Sequence, residues 1–571
     1  MKFLLVAVNA KYIHSNPALY SIRSYINRYK NELMDDTKIV EYTINNRQEQ
    51  LLRFIYEEKP DVVAFSCYIW NINEIEDLLP ELNKVLPDIP IWLGGPEVTY
   101  HPHILLKKHK MLTGIMIGEG EETVSELIEA YKYNRPFEEV KGIIFNKDKT
   151  NKLIMTAPRD LLDLSNIPFL YDNIEQFKNR IIYYESSRGC PYKCNYCLSS
   201  IDKTVRFRNL DMVFTELKYF LDHKVPQVKF IDRTFNCNRD HATKIWEFIL
   251  ENDNGITNFH FEIASESIND EEIELVSRMR PGLAQFEIGV QSINIDTIRE
   301  IQRLMSIDRL KEVVRRLQAA RNIHLHLDLI VGLPYEDYDS FVNSFNEVYS
   351  MKPDQLQLGF LKVLKGSPME ENAGKYELKY LSKAPYEVLS TKWISYEDIL
   401  RLKQVEEMVE LYYNSGQFTK TIELLIEEFE SPFQLYSMLA RFYENKGYFI
   451  MQPSRLYKYE VLLEFIEGIY KGDILKYKES LTYDIYTREN IKSRPTFAPD
   501  ISVYKDRIRE FYKDEAQNNN YLKNHIGYDA TQLSRMTHME VFTYGRERFI
   551  LFDYMAKDVL SGNASVFELS L

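Results

Sequence analysis

Apolar and polar positions follow two alternating patterns along the first part of the chain. Short apolar runs, typical of buried strands, are separated by stretches in which apolar residues recur every three or four positions, as on one face of a helix. The strand candidates are Phe3–Val8, Val62–Ser66, Ile91–Leu93, Gly114–Ile117 and Gly142–Phe145, and the helix candidates include Leu19–Tyr29, Ile75–Leu86 and Glu122–Tyr133. Strands that alternate with helices predict a doubly wound, Rossmann-like α/β sheet with parallel strands over residues 1–150.

A second series of strands and helices begins after residues 151–175. We interpret those residues as a linker because they contain Pro158, Pro168 and a polar, acidic mixture. The strand candidates of the second series are Ile181–Glu185, Val228–Ile231, His260–Ala264, Phe286–Val290, Leu325–Val331 and Gln355–Leu361. Six strands over about 190 residues are too few for an eightfold barrel, which takes roughly 250 residues. The pattern therefore predicts a partial, TIM-like (βα)6 barrel over residues 176–375.

The last part of the chain, residues 376–571, has a different pattern. Its apolar residues recur at helical spacing over Tyr396–Tyr413, Thr419–Phe429, Phe433–Tyr443 and Leu456–Ile469. Near the end, Met539–Tyr544 and Arg548–Tyr554 flank Gly545 as the two strands of a β-hairpin would. We expect a mostly helical domain with a small hairpin.

Composition narrows the class of protein. The chain has 571 residues, of which 45% are hydrophobic and 27% charged, as in an ordinary globular protein. The net charge of −14, without a long basic run, argues against a nucleic-acid partner. No apolar stretch reaches the length of about 18 residues that a membrane span needs, and the first apolar run, Phe3–Val8, is too short for a signal peptide. With only five cysteines and no disulfide framework, we expect a cytoplasmic protein.

Three of the five cysteines lie in one short segment, which is the most informative part of the chain. Cys190, Cys194 and Cys197 follow the first strand of the predicted barrel at C-x-x-x-C-x-x-C spacing. Active sites of such barrels form at the carboxyl ends of the strands. Structural zinc sites usually take four ligands, and the nearest downstream histidine is His223. Three thiolates can instead hold three irons of a 4Fe–4S cluster and leave the fourth iron open to a small molecule.

The run from Cys190 to Cys197, with Tyr196 just before the last cysteine, resembles the signature of radical S-adenosylmethionine (SAM) enzymes. The resemblance covers residues 176–375. It implies that the three cysteines hold a 4Fe–4S cluster, that SAM binds the fourth iron, and that SAM is cleaved reductively to a 5′-deoxyadenosyl radical. It also places Tyr196 near the adenine of SAM and implies an electron donor such as flavodoxin or ferredoxin.

Two further segments resemble parts of that family's SAM-binding site. Glu287-Ile-Gly289-Val-Gln291-Ser292 resembles the motif on the fourth barrel strand that approaches the ribose, and the run Asp328 to Pro334 resembles the segment near the adenosyl group. The resemblance implies contacts of SAM with Glu287, Gly289, Gln291 and Gly332. After the second strand the family often has Gly-Gly-Glu. This chain instead has Asp232-Arg-Thr-Phe-Asn236, in which Asp232 or Thr234 could replace that contact.

The N-terminal domain ends its strands in loops that are rich in glycine and polar residues. An α/β domain joined directly to a radical SAM barrel resembles the cobalamin-dependent subclass, in which a flat corrin needs close approach to the backbone. The resemblance implies a cobalamin site that includes Asn9, Ser66, Gly94, Gly95, Gly118, Glu119 and Gly120. The motif Asp-x-His-x-x-Gly, whose histidine binds cobalt, is absent after the first strand. We interpret His14, in the loop after that strand, as a hydrogen-bonded loop residue, and Cys67, at the end of another strand, as a small buried residue.

The resemblance implies a transferase that uses both cofactors, with methylation of an unactivated carbon as the first hypothesis. The alternatives are a radical cyclisation, a rearrangement or a redox reaction with the same cofactors, and a non-enzymatic cobalamin or cluster sensor. The substrate, a small molecule or a peptide, and the catalytic residues are not specified by the sequence. Residues 376–571, through Met539–Phe542 and Ile550–Tyr554, resemble a domain of uncharacterised function that some of these proteins carry.

Overall fold

The computed structural model describes residues 1–147, 152–201, 204–303 and 305–570. Asn151, the first position of the predicted linker, and Leu571, the last of the helical region, therefore lie outside the described residues. The first sheet has the order β2-β1-β3-β4-β5-β6-β7. Its strands are β1 Phe3–Asn9, β2 Thr37–Thr43, β3 Val62–Ser66, β4 Ile91–Gly94, β5 Gly114–Met116, β6 Ile143–Lys147 and β7 Lys152–Met155.

Strands β1–β5 are parallel, as predicted, and β6 and β7 add to the edge in antiparallel orientation. The helices are Pro17–Tyr29, Gln48–Glu57, Ile72–Val85, Pro96–Thr99, Pro102–Lys108 and Gly120–Tyr133. They cover both faces of the sheet. Side chains of β1 alternate between two separate cores, with Leu4 and Val6 in one and Phe3 and Leu5 in the other. This alternation confirms the doubly wound, Rossmann-like arrangement.

Two strands of this sheet were not predicted. Strand β2 is an edge strand whose side chains are mostly half-buried, so it lacks a continuous apolar run. Strand β7 lies within the stretch that we interpreted as a linker. It pairs with β6 so that Met155 lies opposite Ile144 and Lys152 lies opposite Lys147. The sheet of the first domain thus extends to Met155, while the domain boundaries themselves stay a prediction.

The central sheet contains six parallel strands in the order β15-β14-β13-β12-β11-β8, so each strand pairs with the next one of the series along the chain. All six were predicted. The strands of this region are β8 Ile182–Tyr184, β9 Ser187–Arg188, β10 Arg206–Phe207, β11 Gln227–Phe230, β12 Asn258–Ile263, β13 Ala284–Gln291, β14 His324–Val331 and β15 Gln355–Phe360. The helices are Leu210–Asp222, Arg239–Glu251, Asp270–Ser277, Ile295–Glu300, Ile307–Ala319, Tyr338–Ser350 and Pro368–Glu371.

The C-terminal region is mostly helical, as expected. Its helices are Tyr396–Val409, which continues as a π-turn over Glu410–Asn414, then Thr419–Ile426, Pro432–Lys446, Tyr448–Met451, Tyr457–Ile469, Leu475–Arg488, Lys505–Asn518 and Ala530–Met536. Its strands are β16 Lys379–Tyr380, β17 Val388–Ser390, β18 Thr537–Phe542, β19 Arg548–Lys557 and β20 Ala564–Leu569. The predicted hairpin is β18–β19, and β20 extends it to a three-stranded antiparallel sheet, which corrects the expectation of a hairpin alone.

The C-terminal helices share one apolar core with the central sheet. Asn414 covers the free edge of β15, because its side chain accepts a hydrogen bond from Leu356 N and donates one to Leu356 O, both 2.9 Å long. In the part of the chain that the structure describes, no helix combines the length and apolar character that crossing a membrane requires.

Candidate functional site

Two cavities lie at the carboxyl ends of the strands. The smaller one, of about 190 Å³, lies within the central domain and is lined by the three cysteines of the loop and by residues of β12, β13 and β14 and of the segments that follow β11 and β12. The larger one, of about 840 Å³, lies between the first and central domains, at the upper end of the range for ligand sites. Two residues, Ser199 and Arg233, line both cavities, so the cavities adjoin.

The cysteine loop is held at its base by the pairing of β9 with β10. Gly189 begins the loop with φ +102°, and a Cβ at this position would lie 2.2 Å from Thr204 O, so only glycine fits. Cys190, Cys194 and Cys197 are free thiols that line the smaller cavity. Among the described lining residues there is no fourth cysteine and no histidine. This donor set fits a cluster with three protein ligands and one open iron.

Three of the predicted SAM contacts come from the end of β13, and a fourth comes from the loop. Glu287, Gly289, Gln291 and Tyr196 all line the smaller cavity. The register of β13 shifts between Gly289 and Gln291, and Gln291 has φ +72°. A Cβ on Gly289 would lie 2.2 Å from Gln291 Nε2. The glycine thus makes room for the Gln291 side chain, whose buried Oε1 accepts no hydrogen bond from any residue that the structure describes.

Arg303, which the sequence analysis did not single out, also lines this cavity. Its guanidinium donates to Gly289 O, and Nη1 lies 3.9 Å from Cys194 Sγ. The buried Nε has no acceptor among the described residues. Burial lowers the pKa of the Arg303 guanidinium, but nearby groups, Tyr196 and Cys194 first, raise it by more than burial lowers it. The net pKa is therefore raised, and Arg303 keeps its positive charge beside the thiols.

Buried ionisable groups lie at the floor of the smaller cavity, where Glu262, Glu287 and Asp328 line it, and His260 and His326 lie behind these carboxylates. His260 Nε2 lies 3.1 Å from Glu287, and His326 Nε2 lies 3.0 Å from Asp328. Burial raises the pKa of Glu287, but His260 and Lys229 outweigh it and the pKa is lowered. Burial and then the Glu287 charge raise the pKa of Glu262 to about 7. The floor therefore holds one firmly ionised carboxylate and one carboxyl that titrates near neutrality.

Four of the seven predicted cobalamin contacts line the larger cavity. They are Gly95, Gly118, Glu119 and Gly120. Gly118 has φ +80° and no atom within 4 Å of a Cβ built on it, so its backbone faces open space, as a flat ligand would need. Gly95 has φ +111°, and a Cβ there would lie 2.5 Å from Cys67 O. The cavity between the two domains thus fits a large, flat group.

The other three predicted contacts lie below this surface. Asn9 donates to His14 O and to Glu41, and Ser66 accepts from the Asn16 side chain. A Cβ on Gly94 would lie 3.1 Å from the Met116 side chain. These residues do not line the larger cavity. They support the loops around it instead.

Paired arginines frame the larger cavity, and the sequence analysis did not identify them. Arg188 lies 2.9 Å from Glu119 and 3.1 Å from Glu121, and Arg206 lies 2.6 Å from Glu119. Although burial raises the pKa of Glu119, Arg206 and Arg188 hold it below the usual value. Because these arginines flank the cysteine loop and Glu119 belongs to the first domain, the ion pairs fasten the two domains at the cavity.

The remaining candidates have structural contacts. Gly332, with φ +89°, does not line either cavity, and a Cβ there would lie 2.8 Å from Val388 Cγ1, so this position serves packing. Asp232 is buried and accepts hydrogen bonds from Ser186 and Ser187, whereas Thr234 lines the smaller cavity. His14 is hydrogen-bonded to Tyr183 (2.5 Å), and Cys67 is fully buried, in agreement with the interpretations given above.

Comparison with known proteins assigns a class to each part of the chain. Residues 4–128 match the B12 binding domain, residues 184–348 match the radical SAM superfamily, and residues 374–555 match a protein of unknown function, DUF4080. The chain therefore contains a B12-binding domain, a radical SAM domain and a DUF4080 domain, in this order. A 4Fe–4S cluster, SAM and cobalamin are the cofactors of these domains.

Relatives with assigned names are distant. The cobalamin-dependent radical SAM methyltransferase TokK of Streptomyces tokunonensis is 24% identical over 57% of this chain and 51% of its own length. An anaerobic magnesium-protoporphyrin IX monomethyl ester cyclase of Synechocystis is 26% identical over 48% of this chain and 56% of its own. The hopanoid C-3 methylase of Methylococcus capsulatus is 24% identical over 54% and 59%. The chain thus spans about half the length of these relatives.

Solved structures share the fold. The radical SAM methyltransferase TsrM from Kitasatospora setae, with cobalamin and a 4Fe–4S cluster bound, superimposes with a TM-score of 0.54 at 16% identity, over 68% of this chain and 79% of its own. The cobalamin-dependent radical SAM enzyme OxsB superimposes with a TM-score of 0.57 at 13% identity, over 84% and 83%. At this level of identity the likeness concerns the fold.

Proposed function

We propose that this protein is a cobalamin-dependent radical SAM enzyme that methylates an unactivated carbon. The observation that carries the proposal is the adjacency of two cavities: three free thiols line one, glycine loops of a B12-binding domain line the other, and Ser199 and Arg233 line both. A substrate at this junction would be within reach of both cofactors. Named relatives that are methyltransferases support the same reaction class.

In this proposal the smaller cavity holds the cluster and SAM. When bound, the cluster would supply the electron for reductive cleavage of SAM, and cobalamin would supply methyl-transfer chemistry. Cys190, Cys194 and Cys197 would hold the cluster. The free Gln291 Oε1 would accept a hydrogen bond from SAM, and Gly289 would leave space beside it. Ionised Glu287 would orient a donor group of SAM, since its charge is fixed by His260 and Lys229.

The central sheet would act as a partial (βα)6 barrel in this scheme. Its six parallel strands place the cysteine loop and the end of β13 at one edge, which is where barrel enzymes build their sites. The first domain would close that edge and exclude water from the radical, with the pairs of Glu119 to Arg188 and Arg206 as the fastening. The reductant would be a small electron carrier such as flavodoxin or ferredoxin.

The test is anaerobic reconstitution of the full chain with iron, sulfide, cobalamin, SAM and a reductant. The triple variant Cys190→Ala, Cys194→Ala, Cys197→Ala should bind no cluster and release no 5′-deoxyadenosine. Cys237→Ala is the matched control, because Cys237 does not line either cavity, and it should retain both properties. Release of 5′-deoxyadenosine by the triple variant, or none by the wild type, would overturn the proposal.

A radical cyclisation is the second candidate, because one of the named relatives is an anaerobic magnesium-protoporphyrin IX monomethyl ester cyclase. The two reactions differ in the mass of the product. Methylation adds one CH₂ unit to the substrate, and oxidative ring closure removes two hydrogens. Mass spectrometry of cell extracts incubated with the reconstituted protein, with and without SAM labelled at its methyl group, separates them because only methylation transfers the label.

A further inference from the structure

Arg233 occupies the junction between the two cavities, and the mechanism above gives it no role. It follows β11 in a backbone segment that is fixed on both sides. Asp232 accepts hydrogen bonds from Ser186 N, at 3.0 Å, and from Ser187 Oγ, at 2.6 Å, and Thr234 Oγ1 lies 3.7 Å from Cys190 Sγ. The Arg233 side chain itself is exposed to the cavities. A flexible side chain thus starts from a rigid position between the two proposed cofactor sites.

Arg233 differs from the other arginines around the larger cavity in its lack of a partner. Four others line that cavity, and each forms an ion pair: Arg159 with Glu122 and Glu126, Arg188 with Glu119, Glu121 and Glu185, Arg206 with Glu119, and Arg208 with Glu216. Within the described ranges, the Arg233 guanidinium makes no hydrogen bond and no ion pair with any residue.

Two groups that interact electrostatically with Arg233, Glu262 and Tyr68, do not neutralise it. Arg233 acts to lower the pKa of Glu262, yet burial and the Glu287 charge prevail and raise that pKa to about 7, so Glu262 is only partly ionised at neutral pH. On the side of the first domain, Arg233 also acts to lower the pKa of Tyr68, and burial raises it. A permanent positive charge therefore faces the space in which a substrate would lie.

We propose that Arg233 binds an oxyanion of the substrate, a carboxylate or a phosphate, and so anchors an acidic substrate between the two cavities. The planar guanidinium offers two parallel N–H donors that match either group. In a partly enclosed site such a pair also gives specificity, since a neutral analogue would leave the arginine without an acceptor. This inference rests on the proposed function, because it assumes that both cavities hold cofactors.

The experiment measures how fast phenylglyoxal, an arginine-specific reagent, modifies Arg233. The full chain, loaded with cluster, cobalamin and SAM, is labelled and the sites are quantified by mass spectrometry. Acetate and inorganic phosphate are the probes, and acetamide is the neutral control. At twice its dissociation constant an anion should slow the labelling of Arg233 about threefold. The exposed Arg28, outside both cavities, should react at the same rate throughout.

Two results would overturn the proposal. In the first, SAM alone or cobalamin alone abolishes labelling of Arg233 and Arg233→Gln weakens binding of that cofactor, which would make Arg233 a cofactor ligand. In the second, the anions slow Arg28 and Arg233 equally or have no effect on either. The expected result includes Arg233→Gln with unchanged iron, cobalamin and SAM binding. The labelling of Arg233 is also measured on the protein without cofactors. A failure of SAM cleavage would therefore contradict the proposed function, and the labelling result would be judged independently of it.

Discussion

The two cavities differ in how their polar groups are satisfied. Around the larger cavity four arginines are neutralised by glutamates of the same surface. In the smaller cavity several polar atoms have no protein partner within the described residues, among them Gln291 Oε1 and Arg303 Nε. Unpartnered buried polar atoms are costly, so they indicate where a ligand completes the site. The contrast teaches that the smaller cavity is built around a polar ligand, whereas at the larger one the pairs of Glu119 and Glu121 with Arg188 and Arg206 hold two domains together.

The largest expected effect comes from placing a bulky side chain in the larger cavity while the smaller cavity stays unchanged. Ala18 lines it from the helix Pro17–Tyr29, and Ala18→Trp would place an indole ring in the space proposed for cobalamin. We expect complete loss of corrin absorbance per chain, with iron content unchanged. Arg28→Trp adds the same ring to the exposed side of the same helix and should retain cobalamin. Retention of corrin by Ala18→Trp would contradict the assignment of this cavity.

The second largest effect is expected from removing the charge of Glu119, the carboxylate that pairs with both Arg188 and Arg206 across the two domains. Glu119→Gln would leave Arg188 and Arg206 without full compensation in a partly buried setting. We expect a loss of about 2–4 kcal/mol in the free energy of unfolding at pH 7, measured by urea denaturation. Because the folded-state pKa of Glu119 is lowered, this difference should shrink as pH falls below about 4.5 through the folded value. Glu139→Gln, at an exposed position, is the control and should change little.

The sequence predicted the smaller cavity better than the larger one. The three cysteines and Tyr196 lie within eight positions of each other, and Glu287, Gly289 and Gln291 share one strand. Spacing indicated the cysteines, and the resemblance of these short segments to radical SAM enzymes implied the other four residues. The six strands of the central sheet were also predicted, since apolar residues recur at about every second position along them. Local pattern thus carries both the sheet and the loop at its edge.

Features that depend on distant pairing were missed. Glu119 meets Arg206 across 87 positions, and Arg303 meets Cys194 across 109, so no spacing rule connects them. Edge strand β2 lacks a buried face to signal it. The motif residue Gly332 shows the opposite case. The resemblance implies a cofactor contact, and in the structure this glycine packs against Val388 and lines neither cavity.

A smaller effect is expected from the carboxyl at the floor of the smaller cavity. Burial and Glu287 raise the pKa of Glu262 to about 7. In the unfolded chain the Glu262 carboxyl ionises at about pH 4.5. Its contribution to the free energy of unfolding therefore falls as pH rises from about 4.5 to about 7 and stays constant above that. Glu262→Gln should stabilise the cofactor-free protein by about 1–3 kcal/mol at pH 8 and by almost nothing at pH 4. Equal stabilisation at both pH values would show that the group does not titrate as described.

The smallest effect tests whether the smaller cavity tunes its cofactor through charge. Arg303 carries a positive charge within 3.9 Å of Cys194 Sγ, where it would favour the reduced cluster, which has one more negative charge. Arg303→Met should lower the reduction potential of the bound cluster by several tens of millivolts, on the order of 1 kcal/mol for one electron, measured by redox titration followed by electron paramagnetic resonance. Arg303→Lys keeps the charge and should shift the potential less. An equal shift in both variants would indicate that Arg303 acts through its hydrogen bond to Gly289 O. In that case the charges of side chains would have a clear role only at the larger cavity.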